Sequence, residues 1–439
     1  MTRTLADALR DDDRASVTVG IVGLGYIGLP LAKAFLDGGC SVLGVDVDPA
    51  KIEQLEAGQD YLTHLGPGFA EGLAKTGRFA VTDDHGRVGQ AHAVLVCVPT
   101  PLDGQREPDL SYVEKTTEAL APHLAEGALF VLVSTTWPGT TREVVLPRLV
   151  AAKRVLGRDL FVAYSPERED PGRSDHTTAS TPRLVGGLDE ASCELAALLL
   201  RRAVVDVVPV ASAEIAEAAK LLENIYRAVN IAMVNELKTV LTALDLDVHA
   251  VIDAAATKPF GFAAFRPGPG FGGHCLPIDP FYLSYRARQA GVTSHFIELA
   301  GEVNRAMPQW VVQRTVESLA DRGQDIAGAA LLVIGLAYKP DVDDVRESPA
   351  HRLIEELEDR GARVDYHDPH VPAARPVRHA DIADRTSIEL TAEALAGYAA
   401  VVVATDHSAI DWELVGQHAR LVIDTRGVLR GRGDHVVSA

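Results

Sequence analysis

The chain has 439 residues, a length that predicts two or three compact domains. Hydrophobic residues make up 47% and charged residues 23%, as is typical of a globular protein, and no apolar run is long enough to span a bilayer. A formal net charge of −19 disfavours nucleic acid and anionic membranes as partners, because both bind basic surfaces.

The first segment, 1–15, contains three consecutive aspartates and no apolar core, so we expect a flexible N-terminus and no signal peptide. Four widely spaced cysteines without a CxxC pattern predict free thiols in the cytoplasm. Over 16–211, strands that are apolar at nearly every position alternate with helical patterns: VTVGIVGLG, CSVLGVDVD, AVLVCVP, LFVLVSTT and LFVAYSP. Such strands are typical of a parallel sheet that helices cover on both faces.

A glycine motif, Gly23-x-Gly25-x-x-Gly28, follows the first of these strands and opens a helix. This context predicts a dinucleotide-binding turn, with the pyrophosphate at the helix N-terminus. Asp46, at the end of the next strand, is placed to accept the ribose hydroxyls, which favours NAD over NADP. We assign further cofactor contacts to residues of this turn and of later strand ends: Tyr26, Ile27, Lys51, Pro99, Thr100, Ser134, Thr135 and Thr136.

A helical region is predicted over 212–325, and one long helix begins near Glu214. Apolar residues cover most of its circumference, which predicts a buried helix. Lys220 and Asn224 share one face of it, and either form a structural network or stabilise an oxyanion in a pocket. Pro308 marks a break or the first turn of a later helix.

The stretch FRPGPGFGGHCLPIDP contains too many glycines and prolines for a helix or a central strand. Cys275 lies in this loop beside His274, so it is a candidate nucleophile, with an inert thiol as the alternative. Cys97 and Cys193 lie in apolar elements and are predicted to be core residues.

Glu167 follows the strand LFVAY at the sheet's carboxyl edge, as a general base or as half of a surface salt bridge. After Gly323 the alternation of strands and helices returns, and 326–439 is predicted to form a second such domain. The motif HDPH, 367–370, is interpreted as a turn at a strand end and not as a metal site. The predicted fold is α/β, with two doubly wound, Rossmann-like domains joined by a long central helix and a helical middle region.

Six segments in order resemble the signatures of UDP-glucose/GDP-mannose dehydrogenases: VGLGYIGLPLA, STTWPGTT, SPEREDPG, AAKLLENIYRAVNIAMVNEL, PGPGFGGHCLPIDP and GLAYKPDVDDVRESPA. The resemblance extends from about Val17 to Gly427. It implies that the C6 hydroxyl of a nucleotide-diphosphate sugar is oxidised to a carboxylate, with two NAD molecules reduced in turn.

The resemblance also implies residue roles. Cys275 would form a thiohemiacetal and then a thioester, Lys220 and Asn224 would stabilise the oxyanion, Asp279 would assist, and Glu167 would activate water. Arg346 is expected to contact the cofactor. Substrate contacts are expected from Glu167, Arg168, Phe265, Arg266, Gly272 and Lys339. A homodimer built on the central helix is implied as well.

Among possible sugars, the segments around Glu167 and Cys275 are most similar to the branch that acts on UDP-N-acetylhexosamines such as UDP-N-acetylglucosamine. Phe265-Arg266 and WPGTT depart from that branch, which leaves UDP-glucose or another NDP-glucose open. Two other classes are a two-electron β-hydroxyacid-type dehydrogenase and a non-catalytic NAD-binding regulator. The Cys275 loop and the C-terminal domain argue against the first, and the presence of every expected reactive residue argues against the second.

Overall fold

The computed structural model describes residues 5–10, 16–151, 154–168, 178–273, 275–376, 382–383 and 385–439. The chain divides into two compact units. The first comprises residues 1–223 and 281–292, and the second comprises residues 224–280 and 293–439. The region 212–325, which the sequence predicted as a helical segment of its own, is therefore divided between the two units.

Strands of the described residues are, in chain order, β1 (Thr18–Val22), β2 (Ser41–Val45), β3 (Phe79–Thr82), β4 (Ala93–Val96), β5 (Ala128–Leu132), β6 (Leu160–Tyr164), β7 (Arg183–Gly187), β8 (Val207–Pro209), β9 (Ala330–Ile334), β10 (Arg363–His367), β11 (Ala400–Val403), β12 (Val422–Asp424) and β13 (Val436–Ser438).

Helices of the described residues are α1 (Leu5–Arg10), α2 (Gly28–Asp37), α3 (Pro49–Glu56), α4 (Phe69–Lys75), α5 (Ser111–Leu120), α6 (Leu146–Val150), α7 (Glu190–Leu200), α8 (Ala213–Ala243), α9 (Val248–Ala256), α10 (Asp279–Gln289), α11 (His295–Ala320), α12 (Pro349–Asp359), α13 (Ala392–Gly397) and α14 (Trp412–His418). None of them is both long and apolar enough to cross a membrane.

The first unit is built on an eight-stranded sheet in the order β3-β2-β1-β4-β5-β6-β7-β8. Neighbouring strands are parallel except β6 and β7, which are antiparallel. Every residue of β4 and β5 is buried, as expected for central strands between two layers of helices. The strand order reverses between β1 and β4, and crevices at such points bind ligands in doubly wound folds.

The second unit contains a five-stranded sheet in the order β10-β9-β11-β12-β13, parallel throughout. Its order reverses between β9 and β11. Two sheets, the first parallel except between β6 and β7 and the second parallel throughout, and a helical middle region confirm the predicted fold class.

The long helix α8 has the predicted start and length, and within the single chain it is buried on part of its surface only. Leu221, Ala228 and Val234 are buried, whereas Leu222 is 64% and Tyr226 is 53% exposed. An apolar circumference predicts burial but does not say whether the covering surface comes from the same chain.

Two local expectations also differ from the structure. Within the predicted flexible segment 1–15, residues 5–10 form α1, and Leu5 and Leu9 are buried in the core of the first unit. Pro308 lies inside α11 and does not interrupt it.

Candidate active site

The glycine turn follows β1, where the strand order of the first sheet reverses. Gly23 has a φ of 91°, and an added Cβ would lie 2.7 Å from the Cys97 carbonyl oxygen, so a side chain is excluded there. A Cβ at Gly28 would overlap the Gly23 carbonyl oxygen. At Gly25 a Cβ would meet no atom within 4 Å, so this residue borders open space at the N-terminus of α2.

Asp46 follows β2 and is 7% exposed. Its carboxylate accepts hydrogen bonds from the backbone amides of Leu24 at 2.8 Å and Asp48 at 3.0 Å. Lys51 Nζ lies 3.1 Å from Asp46 Oδ2. A carboxylate offers about four lone-pair positions, so Asp46 retains capacity for a ribose hydroxyl. The structure therefore brings Asp46 and Lys51 together beside the glycine turn.

Residues after β4 and β5 complete the predicted cofactor set. The Ser134 hydroxyl donates a hydrogen bond to the Val98 carbonyl at 2.7 Å. Among the described residues, Thr136 Oγ1 is one of the buried polar atoms without a hydrogen-bond partner. Buried hydroxyls normally have a partner, and a bound cofactor can supply one. Thr100 is buried, Thr135 is partly buried and Pro99 is exposed.

These observations fit NAD. Gly25 leaves room for a pyrophosphate, Asp46 remains able to accept from a ribose, and Thr136 offers an unpaired hydroxyl. Tyr26 stacks on His64 with ring centroids 4.6 Å apart, and Ile27 packs against the core of the first unit.

Glu167, after β6, forms an ion pair, which was one of its two sequence interpretations, but the pair is buried and its partner was not predicted. Its Oε2 lies 2.8 Å from Arg183 Nη1, and the two side chains are 11% and 3% exposed. Arg183 is the first residue of β7, and its Nε donates to Ser165 Oγ at 3.1 Å. An arginine that opens the otherwise apolar stretch RLVGG was the sequence signal for such a partner. Arg168, the next residue, pairs with Glu223 of α8 at 2.6 Å.

Glu217 of α8 is a fully buried carboxylate that the sequence analysis did not single out. It accepts hydrogen bonds from the Gly139 amide at 2.6 Å, the Thr141 amide at 2.9 Å and the Thr141 hydroxyl at 2.7 Å. Burial raises the pKa of Glu217 to about 7, although these hydrogen bonds act in the opposite direction. Glu217 thus attaches the segment after Thr136 to α8, one turn before the buried Lys220.

Cys275 is exposed, whereas Cys40 and Cys97 are buried, and none of the four cysteines, all among the described residues, forms a disulfide. Burial raises the pKa of Cys97 to about 12, in agreement with its predicted role as a core residue. The Cys275 carbonyl accepts the amides of Ile278 at 3.1 Å and Asp279 at 2.8 Å, which forms a turn leading into α10. His274 lies outside the described residues.

Asp279 and Asn224 are brought together directly. Asn224 Nδ2 donates to Asp279 Oδ2 at 2.6 Å, and the two residues are 5% and 3% exposed. The sequence predicted both as site residues, but their contact spans 55 positions and no local pattern predicts it.

The Cys275 loop packs against the segment that carries Lys339 and Arg346. A Cβ at Gly272 would lie 2.6 Å from the Glu347 carbonyl oxygen, and one at Gly273 would lie 2.7 Å from the Tyr338 ring. The Gly273 amide also donates to the Arg346 carbonyl at 3.3 Å.

Within that segment, Lys339 Nζ lies 5.9 Å from the centre of the Tyr338 ring. Arg346 forms an ion pair with Asp344 at 2.7 Å. The structure thus places Lys339, a predicted substrate contact, and Arg346, a predicted cofactor contact, in a segment beside the loop.

Arg266 and Phe265 precede the loop. Arg266 Nη2 lies 2.6 Å from Asp253 Oδ1, and hydrogen bonds from Arg266 and then Arg430 hold the pKa of Asp253 below its usual range. The pair is nearly half exposed, so the guanidinium can exchange this partner for an anionic ligand. Phe265 packs edge-on against Tyr226 at 5.6 Å between centroids.

The HDPH motif forms a turn after β10, as predicted. Asp368 accepts two backbone amides that follow β9 and lies 3.0 Å from His407 Nε2. Asp341, His370 and His407 bring one donor atom each within 4.8 Å of one another. His407 Nδ1 already accepts the Asp341 amide at 3.0 Å, so both of its ring nitrogens are engaged, and we assign these contacts to the turn.

The predicted catalytic residues fall in both units. Glu167 and Lys220 lie in the first, together with the predicted cofactor residues other than Arg346. Asn224, Cys275 and Asp279 lie in the second, together with Arg346 and, among the predicted substrate contacts, Phe265, Arg266, Gly272 and Lys339.

Three consecutive parts of the chain match the three domain models of one family, the UDP-glucose/GDP-mannose dehydrogenases. Residues 17–204 match its NAD binding domain, 214–306 its central domain and 332–431 its UDP binding domain. The chain belongs to the UDP-glucose/GDP-mannose dehydrogenase family. It is therefore an NAD-dependent nucleotide-sugar dehydrogenase, as the resemblance implied.

Named relatives of this dehydrogenase cover nearly its whole length. The UDP-N-acetyl-D-mannosamine dehydrogenase of Pyrococcus horikoshii is 33% identical over 95% of this chain and 99% of its own. A solved structure of UDP-D-ManNAc dehydrogenase from that organism has a TM-score of 0.85, with 31% identity over 96% of this chain and 98% of its own.

Two further relatives act on other sugars by name. The UDP-N-acetyl-D-glucosamine 6-dehydrogenase of Pseudomonas aeruginosa is 34% identical over 81% of this chain and 83% of its own. The structure of a UDP-glucose dehydrogenase from Pyrobaculum islandicum has a TM-score of 0.82, with 27% identity over 96% of this chain and 97% of its own.

Two glycines of the dehydrogenase's NAD turn should respond differently to alanine. Gly25→Ala places a methyl group in the open space and should raise the KM for NAD by roughly tenfold, about 1.4 kcal/mol, with little change in Tm. Gly28→Ala meets backbone instead and should destabilise the first unit by about 1–3 kcal/mol. NAD kinetics and thermal melts of both variants measure this. Equal effects on KM and Tm in the two variants would contradict it.

Glu217 should make the dehydrogenase less stable as pH rises. Its pKa is about 7 in the folded protein and about 4.5 when unfolded, so the folded state binds more protons between these values and stability falls from pH 4.5 to 7. Glu217→Gln should flatten this part of the profile of Tm against pH. Glu214→Gln, which removes a partly exposed carboxylate of the same helix, is the control. An unchanged slope in Glu217→Gln would show that the carboxylate is ionised throughout.

Proposed function

We propose that this enzyme oxidises C6 of a UDP-N-acetylhexosamine from alcohol to carboxylate through a thioester on Cys275. The observation that carries the proposal is the site in the second unit. There the Asn224–Asp279 hydrogen bond lies next to the turn that presents the exposed Cys275, in a loop that packs against Lys339 and Arg346.

The overall reaction consumes one water and two NAD for each sugar and releases two NADH. NAD supplies the hydride acceptor for both oxidations when it is bound. In the first, the alcohol carbon loses a hydride and its oxygen loses a proton, which gives an aldehyde. The Cys275 thiolate then forms a C–S bond to that carbon, and the oxygen takes up a proton, which gives a thiohemiacetal.

Loss of a second hydride and the hydroxyl proton converts the thiohemiacetal into a thioester. Water then adds to the carbonyl, the C–S bond breaks, and the thiolate returns with release of the acid. We assign stabilisation of the oxygen in these steps to Asn224 and Lys220, since an amide donor and an ammonium suit a developing oxyanion. The bond from Asn224 to Asp279 supports this assignment because it fixes the amide orientation.

Water activation is assigned to Glu167. The ion pair with Arg183 favours the ionised carboxylate, which is the form that accepts a proton. Arg168, Phe265, Arg266, Gly272 and Lys339 are assigned to the substrate. Arg346 is assigned to the cofactor.

Two observations support the choice of sugar, the named relatives and the sequence segments around Glu167 and Cys275. Relatives at 33% and 34% identity are named for UDP-N-acetylmannosamine and UDP-N-acetylglucosamine. The segments around Glu167 and Cys275 favour the same branch, with UDP-N-acetylglucosamine or a close epimer preferred. UDP-glucose is the alternative, supported by the structural similarity to the Pyrobaculum islandicum enzyme. Cysteines without disulfides suit a reducing compartment, and we propose the cytoplasm.

A homodimer is proposed through α8. Its exposed apolar side chains, at least 43% accessible, recur every three, four or seven positions and form one stripe: Ile215, Leu222, Tyr226, Met233, Leu237 and Val240. Such a stripe is typical of a helix that packs against another helix, and a second copy of α8 supplies a matching surface.

The reaction class is tested by counting NADH per sugar on a panel of UDP-hexoses. Wild-type enzyme should form two NADH per sugar without free aldehyde, and N-acetylated sugars should be the preferred substrates. Cys275→Ala should fold normally and lose acid formation. Acid formation by Cys275→Ala near the wild-type rate would exclude the thioester, whereas activity on UDP-glucose alone would overturn only the sugar.

The dimer is tested by light scattering at micromolar concentration. Leu237→Glu introduces a charge into the stripe and should convert a dimer into a monomer. Glu236→Lys, which changes the charge of the neighbouring exposed position, should remain dimeric. A monomeric wild-type protein at every concentration would refute the proposal.

A further inference from the structure

Two polar side chains of α8 hydrogen-bond to the backbone amide and carbonyl of Gly268, at the start of the loop that carries Cys275. Asn235 Oδ1 accepts the Gly268 amide at 2.9 Å, and Lys238 Nζ donates to the Gly268 carbonyl at 3.0 Å. Both side chains are fully buried. We call Asn235 and Lys238 the Gly268 clamp, and residues 268–279 the nucleophile loop.

Burial of a lysine costs free energy, because its amine loses hydration. Burial lowers the pKa of Lys238 well below its usual range, and its Nζ lies 4.9 Å from the centre of the Trp310 ring. A methionine of similar length would occupy this position without desolvating an amine. The distinctive contribution of Lys238 is therefore its hydrogen bond to the loop.

The other end of the nucleophile loop is attached to the same helix. Asn224 donates to Asp279, and the Asp279 amide donates to the Cys275 carbonyl at 2.8 Å. At about 1.5 Å per residue, Asn224 and Asn235 are separated by about 16 Å along α8. The helix thus sets the distance between the two attachment points.

A third contact restrains the loop between these ends. Pro308 has no amide to donate to the Asn304 carbonyl, the usual partner four residues earlier in α11. Gly270 approaches that carbonyl, since an added Cβ would lie 2.9 Å from it. Asn235 Nδ2 also donates to Asn304 Oδ1 at 2.8 Å, which links the Gly268 clamp to this contact.

We propose that Asn235 and Lys238 are positioning residues for Cys275. Together with the Asn224–Asp279 bond, they attach both ends of the nucleophile loop to one helix, so the sulfur keeps a fixed position relative to the Asn224 amide. This inference rests on the proposed function, because it requires Cys275 as the nucleophile.

The consequence is specific to the sulfur-dependent steps. The first oxidation does not require the Cys275 sulfur, whereas capture of the aldehyde does. A displacement of about 1 Å can slow a reaction by about a hundredfold. Loss of the clamp should therefore release aldehyde instead of acid.

The test is Lys238→Met, which keeps the length of the side chain and removes the donor. NADH per sugar should fall from two towards one, trapped aldehyde should appear, and the KM for the UDP-sugar should change by less than about threefold. Hydrogen exchange of the nucleophile-loop amides should accelerate at least about fivefold, with no change in β9 and β11. Thr315→Val, which removes a buried hydroxyl bonded only to its own helix, should keep two NADH per sugar.

Two NADH per sugar, no trapped aldehyde and normal loop exchange in Lys238→Met would overturn the proposal, even with a lower Tm. If that variant does not fold, Asn235→Ala removes the acceptor of the Gly268 amide and should leak aldehyde in the same way; normal stoichiometry there overturns the proposal too. Cys275→Ala is assayed in parallel. Acid formation by Cys275→Ala would refute the thioester itself. If Cys275→Ala forms no acid and Lys238→Met still forms two NADH per sugar, only the role of the Gly268 clamp is refuted.

Discussion

The second unit depends on the close approach of one backbone segment, residues 268–273, to three others. A Cβ at Gly268 would lie 2.5 Å from Arg426 Nη1, one at Gly270 2.9 Å from the Asn304 carbonyl, and one at Gly273 2.7 Å from the Tyr338 ring. Interiors this dense do not tolerate even one extra carbon without displacement. The loop therefore has little freedom to shift, and the segment between Tyr338 and Arg346 is positioned by the same contacts.

In both sheets, at the reversal of strand order, an aspartate accepts backbone amides that follow a glycine. The two aspartates differ in the hydrogen-bonding capacity that they keep for a ligand. In the first, Asp46 accepts the amide after Gly23, and Gly25 leaves open space for a ligand. In the second, Asp368 accepts the two amides after Gly335, and its remaining contacts include the buried His407. The protein's own groups thus take up the hydrogen-bonding capacity of Asp368, whereas Asp46 retains some. This agrees with the match of only the first sheet to an NAD binding domain.

Local pattern was sufficient for the parallel strands, the glycine turn and the bounds of α8, because burial on both faces and helical periodicity leave direct traces in a sequence. It was insufficient for Arg183, Glu217 and Lys238. A charged residue inside an apolar stretch resembles a surface position until its partner is known, and these partners lie 16 to 78 positions away. For α8 the sequence predicted an apolar circumference but not which surface covers each side, and the single chain covers only part of it. Leu5 and Leu9 of α1 show the reverse, since aspartates nearby concealed a short amphipathic turn.

Those three missed residues have one property in common. Each is a buried ionisable group whose hydrogen bonds hold a segment of the predicted site: Arg183 holds Glu167, Glu217 holds the segment after Thr136, and Lys238 holds the start of the nucleophile loop. Apolar side chains often replace buried ions without loss of stability, so stability alone does not account for three such groups at these positions. A directed hydrogen bond fixes orientation as well as distance, which apolar packing does less well. The proposed thioester chemistry on Cys275 would require that orientation, and we infer that this requirement accounts for buried ionisable groups beside the proposed reacting segments.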